Sequence, residues 1–171
     1  MRDEDRVLPG PLAAAHAEDF STDHDGYDFE PYDEFMWSVE ASEWWRSWTG
    51  NPSAGPAPFR VFGQDGTGGL AAIWIREPEH PIETQPLVFL GSEGELHVIA
   101  ADLGDYLWLL AGGVGPLETV EGIGPTTVAE PELTTIAQQF TGEQNRPVAS
   151  VIVAAEALLP ALTSLIDTTV R

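Results

Sequence analysis

The chain has 171 residues, 43% of them apolar, and a formal net charge of −21. That length predicts one domain, and its longest apolar runs, 70–75 and 106–111, fall far short of the roughly 20 residues a membrane-spanning helix needs. Seven arginines face 28 acidic residues, with no lysine and no cysteine, which excludes disulfides, thiolate metal sites and a cysteine nucleophile and argues against nucleic acid or an anionic membrane as partner. Such a chain should instead attract basic proteins and speed their encounter at low salt, and the same charge is equally read as serving solubility alone.

Residues 1–26 read as an acidic, disordered tail. Asp3, Glu4, Asp5, Glu18, Asp19, Asp23 and Asp25 alternate with small residues, and large apolar groups are few. A transient helical turn over Leu12–Ala17 is all the local structure expected there. Arg2 is followed at once by acids, and Leu12–Ala15 is too short for the apolar region of a secretory signal, so the expected compartment is the cytoplasm. Tyr27, Phe29, Tyr32, Phe35 and Trp37 then open the folded part, expected to span 27–171.

Ser38 is the expected N-cap of a helix through Trp48. Ala41, Trp44, Trp45 and Trp48 share one face of it, and Gly50 stops it. Strands follow at Phe59–Phe62 and Leu70–Ile75, joined by the glycine turn 64–69. After a proline-containing loop, Arg76–Pro86, come Leu87–Leu90 and Glu95–Ala100, joined by the turn 91–94. The wholly apolar Leu87–Leu90 predicts a central strand. Asp102 caps a helix carrying Leu103, Tyr106, Leu107 and Leu110, ended by Gly112-Gly113. Val114–Glu130 reads as a loop. Leu133, Ile136, Ala137 and Phe140 mark a helix begun near Pro131 and stopped at Gly142. A last helix runs over about 147–166, kinked or divided at Pro160. These elements predict an α+β fold: a mostly antiparallel sheet of four to six strands, with its core at about 59–100, packed with N- and C-terminal helices.

No catalytic set, metal set or cofactor loop emerges. Asp65-Gly66-Thr67-Gly68-Gly69 has the glycines of a phosphate-binding loop but leads into a strand rather than a helix, so it reads as a hairpin turn. Ser21 to Gly26 imitates a calcium loop, yet Tyr32 stands where the closing glutamate is needed. Gly91-Ser92-Glu93-Gly94 is not a nucleophile elbow. His16, His24, His80 and His97 lack metal-ligand spacing, and the Trp44-Trp45-Trp48 cluster reads as core, with one exposed tryptophan available as a protein-binding anchor.

The order of the helix, the WTGNP loop, the FRVFGQDGTGG hairpin, PLVFLGSEGE and AADLGDYLWLLAGG resembles the SUKH superfamily (the Smi–Knr family). The likeness covers about Phe29 to Glu118 and is strongest over Phe59–Gly113. The family's opening Leu-Pro pair has no counterpart at the right place, since Leu8-Pro9 lies too far upstream. The resemblance implies an α+β, non-catalytic protein-binding module without cofactor. For a bacterial member it implies an immunity protein that binds and neutralises a cognate secreted toxin, such as a basic nuclease. A regulatory or scaffolding module that binds a host protein is the alternative. An enzyme acting on a small cationic substrate is a third reading, whose signature would be a deep pocket with a perturbed carboxylate. The acidic positions expected to flank the sheet and meet a basic partner are Asp65, Glu77, Glu79, Glu93 and Glu95.

Overall fold

The computed structural model describes residues 5–18, 29–121 and 129–171. The fold is α+β. Strands β1 (Glu30–Pro31), β2 (Phe59–Gln64), β3 (Leu70–Trp74), β4 (Leu87–Leu90) and β5 (Leu96–Ala100) form one antiparallel sheet in chain order. Among the described residues, seven α-helices surround it: α1 (Gly10–His16), α2 (Ser38–Trp48), α3 (Leu103–Ala111), α4 (Glu118–Glu121), α5 (Pro131–Thr141), α6 (Val148–Glu156) and α7 (Leu159–Thr169).

The central strands β3 and β4 are apolar on both faces, so the sheet must be covered twice. Along β3 and β4 the side chains alternate between two separate cores. Ala71, Ile73, Leu87 and Phe89 enter one, with α1, α3 and α5. Leu70, Ala72, Trp74, Val88 and Leu90 enter the other, with α2 and α7. β4 is buried at all four positions and pairs with both neighbours, as its apolar run predicts. The register shifts between Val61 and Gly63, so Phe62 is the extra residue of a bulge and enters the first core while Val61 enters the second. A Cβ at Gly63 would run into the Phe29 ring, which explains a glycine in mid-strand.

α6 closes the β5 edge. It packs on β5 and α3, with Val151 in the first core and, one turn on, Ala155 in the second. The chain then breaks before Pro160, which sits in the first turn of α7, where its missing N–H costs nothing. Pro160 therefore separates two helices, inclined at 41°, rather than kinking one. No single described helix is long and apolar enough to cross a membrane, although α6 and α7 together pass on length and composition.

Three expectations need correction. Residues 5–18 are not a disordered tail: α1 is a helix, and Leu8, Leu12 and Ala15 are buried in the first core. Leu12 and Ala15 (i, i+3) behind Pro11 carry the signal, masked by the acids on either side, and Leu8 precedes the helix. Trp37, not Ser38, occupies the cap of α2, and Ser38 is its first helical residue. Within 114–130, Glu118–Glu121 forms a short helix where only a loop is expected. The calcium-like stretch 21–26, His24 and the expected domain start at Tyr27 lie outside the described residues.

The other boundaries agree closely. Asp102 caps α3, accepting the Asp105 N–H at 2.9 Å. Pro131 opens α5, and Gly142, at φ +73°, ends it in the left-handed region.

His16 is the titratable group within this packing. Its ring meets Phe29, Phe62 and Tyr106 at centroid separations of 5.7, 5.5 and 6.4 Å. Burial lowers its pKa to about 4, against a smaller opposing effect of the Tyr32 backbone. The unfolded chain binds the proton first, so stability is fully present above about pH 6.5 and is lost as pH falls towards 4. The loss should approach about 3 kcal/mol. Urea unfolding at pH 7 and pH 4.5 should show a smaller acid loss for His16→Leu than for the parent. An equal loss in both would show that His16 does not titrate this way.

Candidate functional site

Because both sheet faces and the β5 edge are covered, the polar connections gather at the two ends of the sheet. The β2–β3 and β4–β5 turns lie at one end. The β3–β4 connection and the start of α3 lie at the other, since Ala100 pairs with Leu87. The five acidic positions expected to flank the sheet are therefore divided: Asp65, Glu93 and Glu95 at the turn end, Glu77 and Glu79 at the opposite end.

At the turn end, two of the three are engaged within their own turns. Asp65 is only 4% exposed. Its Oδ1 accepts the N–H groups of Thr67 (2.9 Å) and Gly69 (2.7 Å), and the Thr67 hydroxyl (2.9 Å). It builds the hairpin and is not a surface contact, which corrects the expectation. An aspartate at the start of a glycine turn is the sequence signal for such a role. Glu95 stays exposed, and its Oε2 accepts the Glu93 N–H at 3.2 Å. Glu93 is exposed as well.

Beside these turns lies a groove of about 610 Å³ lined by Trp44, Trp48, Gly94, Ile166 and Val170. Trp44 and Trp48 stack at 5.6 Å and 20°. Trp48 Nε1 donates to the Gly91 carbonyl at 2.7 Å, and Asn51 Nδ2 donates to Thr169 O at 2.7 Å, so α2 holds the β4–β5 turn and the loop after it holds the end of α7. Of the tryptophans expected in the core on this face, Trp45 alone is fully buried.

The opposite end keeps its carboxylates outward. Buried Gln85 organises it: Oε1 accepts the N–H groups of Arg76 and Glu77, both at 3.0 Å, and Nε2 donates to Glu77 O at 2.7 Å. This clamp shapes the 76–86 connection, so that Glu77 and Glu79 are exposed and Glu83 half-exposed. Glu77 also meets the His80 ring at 2.7 Å. No pattern in the sequence identifies Gln85 as the clamp.

Next to this connection is a cleft of about 270 Å³ between the start of α3 and the 140–146 segment. Among the described residues, four carboxylates line it, from Glu83, Asp102, Asp105 and Glu143, against one cation, Arg146. Arg146 Nε lies 2.5 Å from Asp105 Oδ1, its Nη2 donates to Oδ2 at 3.3 Å, and its Nη1 is 3.8 Å from Glu143. Asp105 is 3% exposed. Burial first, and then the Asp102 charge, push its carboxyl up to about 6, against the opposing pull of Arg146.

This cleft holds the perturbed carboxylate named above for a cationic-substrate enzyme. A carboxyl near 6 is able to exchange a proton near neutrality. Its oxygens are engaged by Arg146, however, and the lining hydroxyls of Thr84 and Thr141 donate to Pro81 O and Ala137 O at 2.8 Å each. What the arrangement does best is attract a further cation. Among the described residues no three His, Cys, Asp or Glu side chains gather as a metal set. No family model, curated protein or solved structure matches the chain.

Two outcomes follow. Asp65→Ala removes the acceptor for two buried or half-buried turn N–H groups and should cost about 1–3 kcal/mol in urea unfolding. A change below about 0.5 kcal/mol would return Asp65 to the surface set. Asp105 gains its proton more readily in the folded state, so its contribution to stability is full below its ordinary value of 3.8 and is lost as pH rises through about 6. Carboxyl NMR should place its titration near 6, and Arg146→Gln should move it higher. A downward move would contradict the ion-pair geometry.

Proposed function

We propose that this chain is a SUKH-like protein-binding module whose acidic cleft end captures a basic protein, and that it acts in the cytoplasm as immunity against a secreted toxin such as a nuclease. The observation that carries the reading is the concentration of outward carboxylates at this end, from Glu77 and Glu79 through the cleft, on a chain of net charge −21. A nuclease must carry a cationic surface to hold phosphates. An acidic face meets such a surface quickly and masks it, without needing chemistry of its own. The element order α2, β2–β3, β4–β5, α3 is also the order on which the family resemblance rests.

Co-expression with each toxin domain encoded by neighbouring genes tests the reading. A cognate toxin should be neutralised, and the complex should weaken steeply with added salt. A Glu77→Gln, Glu79→Gln, Glu83→Gln variant should bind it at least tenfold more weakly, mainly through slower association. Glu93→Gln, at the other end, should change little. If no neighbouring toxin is bound or neutralised, the proposal fails.

A further inference from the structure

We propose that the ion pair of Asp105 and Arg146 is a proton-operated latch. It holds the α5–α6 connection on α3 while Asp105 is charged and releases it when Asp105 takes up a proton. The latch is a property of the fold and does not rest on the capture of a partner.

The connection, residues 142–147, has few other ties. Arg146 is its one residue that is not exposed. Its other hydrogen bonds stay with the adjoining helices. Gln138 Nε2 donates to Gln144 O at 3.0 Å, the Glu143 N–H to the Thr141 hydroxyl at 3.2 Å, and the Ser150 N–H to Pro147 O at 2.9 Å. Among the described residues, the polar contacts that tie it to a more distant element are those of Arg146 with Asp105, through Nε at 2.5 Å and Nη2 at 3.3 Å. Such a two-pronged pair is strongest with both partners charged.

The competing partner of Arg146 is local. Its Nη1 lies 3.8 Å from Glu143, three positions back on the connection itself. A pair with Glu143 binds the connection to itself and leaves α3 free. Which carboxylate holds the guanidinium therefore decides whether the connection is docked. Asp105 is the costly one to keep charged, because it is buried among like charges. Glu83 from the single turn before β4, Asp102 at the α3 cap and Glu143 line the cleft with it, against Arg146 alone. No charged residue of α1, α6 or β5 is among the described lining residues. The titration of Asp105 near 6 agrees with this imbalance. Once protonated, Asp105 is the weaker acceptor, and the exposed Glu143 carboxylate takes the guanidinium. A neutral Asp105 suits its buried position, so the loosening is confined to the connection.

The test is ¹⁵N relaxation of the backbone amides of residues 143–146 in the protein alone, followed from pH 7.5 to pH 5. Order parameters should fall from about 0.85 to below about 0.6, at the pH where the Asp105 carboxyl titrates. Asp105→Asn, neutral and of the same shape, should be as mobile at pH 7.5 as the parent is at pH 5. Glu143→Gln removes the competing partner and one like charge at an exposed position, so the fold should persist and the midpoint should move to lower pH. Should Asp105→Asn fail to fold, the parent titration and the Glu143→Gln midpoint decide. Order parameters that stay high at pH 5, a step that survives in Asp105→Asn, or a midpoint unmoved by Glu143→Gln would overturn the latch.

Discussion

The rest of the structure depends on a sheet that is apolar on both faces. β3 and β4 place no polar side chain on either side, so each face must be covered for the chain to fold at all. The helices divide accordingly, with α1, α3 and α5 on one face and α2 and α7 on the other. α6 links the two layers across the β5 edge, which also removes an edge that could pair with another chain. The break before Pro160 is what lets the chain turn from that edge onto the second face.

Covering both faces decides where charge can go. With the middle of the sheet closed, the carboxylates of a strongly acidic chain remain on helix exteriors and at the sheet ends. The two ends then differ for local reasons. At the turn end, the backbone N–H groups of the two hairpins draw Asp65 inward and engage Glu95, which stays exposed. At the other end, Gln85 satisfies the connection's backbone instead, and the acids stay available. One buried amide thus does at one end what two carboxylates do at the other. The cleft beside it inherits the surplus negative charge, and Arg146 balances only part of it.

Much of the fold was legible in the sequence because its signals are local. Glycine turns, the Asp102 cap, Pro131 and Gly142 mark boundaries through backbone conformation, and the structure places them where those residues demand. α1 was hidden because three apolar residues among acids look like a tail until a sheet exists to bury them. The site was legible only in outline. Charge and loop position indicated Glu77 and Glu79 correctly as exposed, but whether an acid points outward depends on which N–H groups lie within its reach. That is a tertiary fact, and it moved Asp65 inward. The Asp105–Arg146 pair spans 41 positions of sequence, and no spacing rule joins them.

The most direct measurement is hydrogen exchange of the protein, free and bound to a basic protein partner of the kind the proposed function requires. Protection should concentrate over residues 76–85, 102–108 and 140–146, leaving the Trp44–Trp48 groove and the 91–95 turn as they were. Protection confined to that groove and turn would contradict the assignment of the acidic cleft end as the docking face.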